Sequence, residues 1–480
     1  MATTRPPTRA RRNAHLTADE RDARGRAARE AVPRQSHGVW APAANRPDPV
    51  TLLEDQAEHR VHALVPIRHG RMLASPFAFY RGAALIMASD LSSTPHSGIN
   101  VQLCGDAHLA NFGVFGTPER RLVFDINDFD ETLPGPWEWD VKRLAASLEA
   151  LGRDRGFSDS DRREIVVACV REYRQTIRST AEMKTLDAWY DHMDADEVTA
   201  LMQQEVSEKR LSKREEKVAE RGLAKARTRD HAHVFAKRVG EVDGELRIVA
   251  DPPLIVPLDD VAPAGTERDK LVGYMRVLMR TYRRSLAYQH HPLEEFEYVD
   301  TAHKVVGVGS VGLQAWIHLL VGRDDDDPLF LQSKEAQASV LERFVGRSEF
   351  RNHGRRVVVG QRLMQAASDI FLGWVRVVGI DGELRDYYVR QFHDWKGNVE
   401  VESMLVPGTT LYGRLCGATL ARAHGRWGDR IAIASYLGKG GAFDEAIADF
   451  ASAYADQNER DYEAFAAAVK TGRLDAEEGL

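Results

Sequence analysis

Apolar positions along the chain change their spacing several times, and each change predicts a change of element. From 1 to 45, Arg, Ala and Pro dominate without a sustained apolar period. That stretch predicts a disordered basic tail carrying at most one short helix, around Ala18–Ala31. Order is expected from Pro47–Leu53, with helical spacing over Ala78–Ala88 and turn residues at Ser92–Gly98. Val101–Asp130 then breaks into short apolar runs separated by Gly, Asn and Asp, the texture of strand, loop, strand, turn, strand. Helical spacing returns from Val141 to Arg238, its charges forming a solvated face, and again over Arg268–Gln289. A second strand block opens at Val305, where two β-like runs flank an Asp-rich turn at Asp324–Pro328, and helix is expected from Glu335. Further strands are expected at Phe371–Val378 and Tyr387–Phe392 across a turn at Asp381-Gly382, and helices at Leu411–Arg426 and Phe443–Ala468.

This order predicts an α+β protein, and 480 residues exceed the usual size of one compact core, so two lobes are expected. A hydrophobic share of 43% and a charged share of 29% are those of an ordinary globular chain. No apolar run approaches the roughly 20 residues that cross a bilayer, and the N-terminus lacks the apolar stretch of a secretory signal. A net charge of −7 argues against bulk nucleic-acid binding. Cys104, Cys169 and Cys416 are odd in number and far apart, which suits reduced thiols in a cytoplasm and gives no structural zinc site.

The strongest chemical signal is Gly105-Asp106-Ala107-His108-Leu109-Ala110-Asn111, followed by Asp125, Asp128 and Asp130. An Asp and an Asn five residues apart on a tight loop can share one metal–phosphate site, the Asp accepting a hydroxyl proton and the Asn oxygen binding Mg²⁺. A carboxylate beyond a short hairpin supplies what Mg²⁺ needs beside substrate phosphates. The bland alternative is a polar turn capped by Asp and Asn. Four acidic or amide groups on loops between apolar strands argue against it.

The segment GDAHLAN resembles the catalytic loop of the aminoglycoside phosphotransferase and choline kinase group, within the protein-kinase-like superfamily. That loop reads His-Gly-Asp-x-His-x-x-Asn and is followed by an Ile-Asp-Phe or Ile-Asp-Trp metal segment. The resemblance implies that Asp106 is the catalytic base, Asn111 a metal ligand, and Asp128 in Asn127-Asp128-Phe129 the second metal ligand. The group also carries an Asp beyond its metal Asp at the spacing that Asp140 has here, which favours Asp128 over Asp125, the runner-up. Cys104 departs from the pattern, standing where the first His would be. The whole stretch from GDAHLANFG through FDINDFDET to GPWEWDVKRLAAS is similar to a bacterial family of uncharacterised proteins grouped with these kinases.

A kinase-like site needs a lysine for the nucleotide phosphates, normally on a strand before the catalytic loop. Here Lys142 is the first lysine in the chain. The missing parts stand downstream. Gly307, Gly309, Ser310 and Gly312 form a Gly-rich segment between β-like runs, Lys334 ends the next run, and Gln391–His393 would be a hinge meeting adenine. Glu342 and Glu349 are candidate ion-pair partners for Lys334, and Leu420-Ala421-Arg422-Ala423-His424 resembles the helix that precedes the catalytic loop in aminoglycoside kinases. Circular permutation accounts for this order. It divides the chain into a tail (1–45), a catalytic-loop and large helical lobe (46–300), a small nucleotide lobe with an antiparallel sheet (301–395), and helices completing the large lobe (396–480).

The resemblance thus implies a two-lobed kinase-like fold and ATP- and Mg²⁺-dependent transfer of a phosphoryl group to a hydroxyl, expected on a small molecule. AMP transfer on the same fold and a nucleotide-binding pseudokinase scaffold are the alternatives. A distant third is an NAD-dependent enzyme, which rests on the glycines alone and needs a helix directly after them. Arg68, Arg71 and Arg81 precede the catalytic segment, and one of them is a candidate phosphate ligand, although a surface ion pair is the commoner role. His108 reads as a structural group supporting the loop. His290, His291, His393 and His424 lack zinc-ligand spacing, and no aromatic–basic array predicts nucleic-acid binding.

Overall fold

A computed structural model describes residues 16–228, 231–242, 244–261, 268–286, 290–305, 307–309, 311–380, 382–392 and 395–479. The fold is mixed α+β. Its main core is helical. Every residue of the helix Trp137–Asp154 from Trp137 to Gly152 is buried, so this helix is enclosed on all sides rather than amphipathic. Around it pack Asp159–Glu182, Val406–Trp427 and Ala442–Lys470, with Trp137 stacked on Tyr173 at 5.7 Å between ring centres. A Cβ on Gly417 would stand 2.3 Å from the Cys169 carbonyl, so glycine is what lets Val406–Trp427 and Asp159–Glu182 approach so closely.

Strands β1 (Asn100–Leu103) and β4 (Leu133–Pro136) pair antiparallel. Between them in sequence, β2 (Phe112–Gly116) and β3 (Leu122–Ile126) form a hairpin. A separate hairpin joins β5 (Val239–Val242) to β6 (Glu245–Ile248). The largest sheet uses β7 (Ile255–Pro257), β8 (Glu297–Lys304), β9 (Ala315–Val321), β10 (Pro328–Glu335), β11 (Gly373–Val378) and β12 (Leu384–Gln391). Its order is β11-β12-β10-β9-β8-β7 with every neighbour antiparallel. Alternation sets its two faces. Trp316, Leu320, Leu329, Leu331 and Val389 pack with Leu271, Met275, Leu278 and Tyr282 of the helix Arg268–Arg283. Ile317, Leu319 and Phe330 pack on the other face with Val234 and Ile248. After β12 the chain returns to the helical core, where β13 (Gly397–Asn398) joins β2.

Several expectations need correction. Residues 16–45 are not a free tail; positions 1–15 lie outside the described residues. The helix Ala18–Ala31 starts at a capping box between Thr17 and Glu20 and lies on Arg430–Leu437, with Gly25 against the Ala432 carbonyl. Trp40 packs on Phe450 and Tyr454. Its contact face is made of small residues, so no large-apolar period announced it. Ala78–Ala88 is two helices, Pro76–Gly82 and Ala84–Leu91, which meet at Ala83 outside helical geometry (φ −102°, ψ 31°). No helix starts at Glu335. The Glu335 and Ala336 amides donate to Gln314 and Asp386 carbonyls, which keeps the chain extended, and helices follow at Glu342–Val345 and His353–Met364. The segment 301–395 supplies β9 to β12 and half of β8, but the sheet recruits β7 from before it. The helix from Arg268 ends at Arg283, and the expected positions 287–289, Asp381 and His393 lie outside the described residues. Among the described residues no helix is long and apolar enough to cross a membrane.

Candidate nucleotide and metal site

The GDAHLAN segment leaves β1 through Gly105, whose φ of +84° and a would-be Cβ 2.3 Å from the Glu131 carbonyl both require glycine. Asp140, in the first turn of Trp137–Asp154, accepts the Cys104 and Gly105 amides at 2.8 and 3.1 Å. His424 Nε2 stands 3.2 Å from the same carboxylate, and its Nδ1 lies 2.8 Å from the Tyr173 hydroxyl. Asp140 therefore fixes the loop's entry, and the His of the LARAH segment fixes Asp140. Within the loop, the His108 amide and Asn111 Nδ2 both donate to the Asp106 carbonyl at 2.8 Å. The Asn111 nitrogen is used by the loop itself, leaving its Oδ1 without a protein donor among the described residues.

Arg143 Nε donates to Asp106 Oδ1 at 2.8 Å. Arg143 is itself held by the Tyr80 carbonyl (2.8 Å) and lies 4.0 Å over the Tyr80 ring. His108 Nε2 stands 3.8 Å from Asp106 Oδ2. Burial pushes the Asp106 carboxyl above its ordinary range, with Arg143 opposing. This is a carboxylate with increased proton affinity, fixed in position.

Lys334 ends up beside the second acidic segment. On β10 it stands opposite Ala315 and Tyr388, and its Nζ pairs with Asp130 and lies 3.9 Å from Asp128 Oδ2. Tyr388 donates to the other Asp130 oxygen at 2.8 Å. Arg356 clamps the backbone of this segment through the Asp130 and Thr132 carbonyls at 2.7 and 2.8 Å. Arg390 reaches the Asn127 carbonyl at 3.2 Å. Burial opposes the Lys334 charge, yet Asp128 and Asp130 hold its ammonium above the ordinary range. Burial likewise opposes the Asp130 charge, and Lys334 nevertheless holds its carboxyl below the ordinary range. Lys396 is pushed down to about 7 by neighbouring Arg390 and by burial, against the pull of Asp128. Lys334 and Arg390 thus stand as cations beside one strip of carboxylates, with Lys396 next to them held only partly protonated. Asp128, a third exposed, is more open to solvent than Asp130.

Other expected residues lie elsewhere. Asp125 is buried on β3, where its carboxylate accepts the next amide (2.8 Å) and feels Arg426, apart from the Lys334 cluster. Neither Glu342 nor Glu349 partners Lys334; Glu342 instead lies 3.9 Å from His353. The glycine segment connects β8 to β9 and is pinned by Arg71 on the Gly307 carbonyl, Arg60 on the Val311 carbonyl, and the Val61 amide on the Gly312 carbonyl at 2.7 Å. Gly307 and Gly312 take φ of 67° and 92°. The segment leads into a strand, so the dinucleotide-binding reading lacks its helix. Ser310 lies outside the described residues. Gln391 is the last residue of β12, with its amide on the Asp369 carboxylate. A cavity of about 1060 Å³ between His59–Leu64 and Gln337–Val340 meets the cluster at Asp130, without Asp106, Asn111, Asp128 or Lys334 in its walls.

Sequence reading passed over Asp130 as the partner of Lys334, and over Tyr388, Arg143, Arg356, Arg390 and Lys396. One signal was present for Arg143: it follows Asp140 by three residues, one turn along the same helical segment, WEWDVKRLA.

Fold and cluster together define a mixed α+β protein in which a strand lysine and two acidic loops converge on one polar site. The chain belongs to the family described as "Uncharacterized protein conserved in bacteria (DUF2252)", whose model matches residues 60–468. Searches of curated proteins and of solved structures returned no match.

Proposed function

We propose that this protein is an ATP- and Mg²⁺-dependent phosphotransferase that moves a phosphoryl group to a hydroxyl, on a circularly permuted kinase-like scaffold. The observation that carries the reading is the Lys334 ammonium against Asp130 and Asp128, reached across 204 residues of chain. A lysine and two carboxylates that serve one triphosphate must stand within such distances. Arg390, beside Asp128 and Asp130, adds the positive charge that phosphates require.

The donor set suits Mg²⁺. Among the described residues no group of three His, Cys, Asp or Glu side chains could hold a metal by itself. Mg²⁺ is ordinarily held by one or two carboxylates together with substrate phosphates, so a protein-only cage is not required. Asp128 and the free Oδ1 of Asn111 would hold it, and the ion would neutralise phosphate charge. Lys334 would orient the phosphates, releasing part of its hold on Asp130 as they bind. Asp106 would orient the acceptor hydroxyl and take its proton, a role suited to its raised proton affinity. The glycine segment would lie over the phosphates. Buried thiols at Cys104, Cys169 and Cys416 suit a reducing cytoplasm.

Purified protein incubated with Mg²⁺ and ATP labelled at the γ or α position tests the reading against a pool of hydroxyl metabolites. Transfer of γ-label is the expected result. Transfer of α-label would mean AMP transfer at the same cluster, ATP binding without turnover would mean a scaffold, and no Mg²⁺-dependent ATP binding would overturn the proposal.

A further inference from the structure

The cavity of about 1060 Å³ beside the cluster is not used by the chemistry above, since Asp106, Asn111, Asp128 and Lys334 stay out of its walls. A space of this order encloses a small organic molecule. One wall is a cross-strand row of the large sheet. Val256 on β7 stands opposite His303 on β8, and His303 stands opposite Trp316 on β9. The His303 and Trp316 rings meet edge to face at 5.2 Å between centres. The stretch from Gln56 to Leu64 supplies another wall, and with it Arg60.

Arg60 is 8% exposed, and its one hydrogen-bond acceptor among the described residues is the Val311 carbonyl. No carboxylate among the described residues pairs with it. The other two arginines of the cavity differ: Arg385 has Glu335 at 3.2 Å and Arg343 has Asp55 at 3.6 Å. The acids of the walls are engaged elsewhere or solvated. Asp130 pairs with Lys334, Glu131 accepts the Val340 amide at 2.7 Å, Glu342 lies 3.9 Å from His353, and Glu58 and Asp260 are exposed. Arg68 repeats the pattern of Arg60. Fully buried and without a carboxylate partner among the described residues, it donates to the side chain of Gln56, in the same wall, and to the Gly82 carbonyl, both at 2.8 Å. A buried guanidinium without a counter-charge is costly, and one carbonyl offsets little of that cost. This end of the cavity is therefore built for negative charge that the chain itself does not supply.

We propose that the cavity binds a small organic anion, its carboxylate or phosphate paired with Arg60 and its apolar part against His303 and Trp316. Guanidinium offers two parallel N–H groups to either anion, which fixes orientation as well as charge. The aromatic pair and Val256 offer the apolar surface that most of such a ligand would bury. The site is separate from that of the nucleotide, and it stands whether or not the protein transfers phosphoryl groups. Elsewhere its walls include Asp130, Glu131 and Glu335, so the ligand would lie beside the peptide that carries the partner of Lys334.

Saturation-transfer NMR and calorimetry on the full chain, with phenyl phosphate, phenylacetate and benzyl alcohol as probes, test this. At least one of the two anions should bind once per chain, and the neutral alcohol should bind far more weakly. Binding of phenyl phosphate alone assigns a phosphate ligand, and binding of phenylacetate alone a carboxylate. Arg60→Gln should weaken the anion by about 10–100-fold. Because Arg60 also holds the Val311 carbonyl, a second variant avoids that contact. Ala338 lines the cavity and is exposed, so Ala338→Trp should fill the space, abolish anion binding and leave the melting temperature unchanged. Anion binding that survives Ala338→Trp lies elsewhere and overturns the proposal. So does equal binding by wild type and Arg60→Gln, equal binding of anions and alcohol, or no binding of either anion up to millimolar concentration. Mg²⁺–ATP binding by the same proteins is a separate measurement, and its failure would overturn the phosphotransferase reading without touching this one.

Discussion

Lys334→Met is the most informative single perturbation of the cluster. It removes the ammonium from a site where the Lys334 side chain is 4% exposed and that of Asp130 19%, and leaves Asp130 with its Tyr388 hydrogen bond. Removing one partner of a buried pair typically costs about 3–5 kcal/mol, because the other charge stays behind. The retained Tyr388 bond offsets about 1 kcal/mol of that, and Asp128 is solvated enough to lose little. The expected destabilisation is therefore about 3 kcal/mol. Asp130→Asn in the Lys334→Met background should recover much of it, giving a coupling of about 1–3 kcal/mol in a double-mutant cycle. Chemical denaturation followed by tryptophan fluorescence measures each corner. The pH window follows from the two directions. Asp130 is depressed, so its contribution is present above the unfolded carboxylate value and is lost as pH falls through the lower folded value. Lys334 is raised, so its contribution is present below the unfolded lysine value and is lost as pH rises through the higher folded one. The coupling should be flat from about pH 5 to 9. Additive single effects, or a coupling that rises and falls within that window, would refute the pair and with it the joining of β10 to the 127–130 segment.

Asp106→Asn should reduce phosphoryl-transfer turnover by about 10²–10⁴ with ATP affinity nearly intact; labelled-ATP kinetics and calorimetric binding check both halves. Asp128→Ala should remove the Mg²⁺-dependent part of ATP affinity, whereas Asp125→Ala should lower the melting temperature and leave that affinity alone, because Asp125 is buried near Arg426 away from Lys334. The reverse pattern in Mg²⁺ titrations would reassign the metal ligand. His318 is buried between Thr301 and Ser333, both 2.8 Å away, and burial pushes it down to about 3. The folded protein refuses a proton that the unfolded chain accepts below about pH 6.5, so this contribution is lost as pH falls. Wild-type advantage over His318→Asn should shrink by about 1.4 kcal/mol per pH unit between pH 6 and 4; a constant difference in denaturation midpoints would contradict it.

What could be read from sequence follows from how locally each feature is encoded. β1 to β3 were legible because Val101–Leu103, Phe112–Phe115 and Leu122–Ile126 are apolar runs cut by Gly, Asn and charged residues, and β9 and β10 because an Asp-rich turn separates them. β4 was not, since Leu133-Pro134-Gly135-Pro136 has the composition of a turn and becomes a strand by pairing with β1. β7, separated from β10 by two strands, is a three-residue edge that no period announces. The helix Ala18–Ala31 was expected as a short helix but not as a packed one, because Gly25 and Ala28 make their contacts by closeness rather than by large side chains.

The site divides along the same line. Asp106 and Asn111 sit five residues apart in one loop, and Asp128 follows within a hairpin, so residue type and spacing alone brought them forward. Asp130 stood in the same strip, yet its partner is 204 residues away and depends on the register of β10 against β12, which sets Lys334 opposite Tyr388. A one-residue slip of that register would turn Lys334 to the other face of the sheet and bring Glu335 to the strip instead. Glu335 would then add a third acid to Asp128 and Asp130 in place of the Lys334 ammonium. The apolar alternation that places Phe330 on one face and Leu329 and Leu331 on the other forbids that slip, because it would bury Lys334 among the residues packed on Arg268–Arg283. The chemistry of Lys334 is therefore specified by leucines and a phenylalanine several positions away, and a reading based on chemically active residue types passes over them.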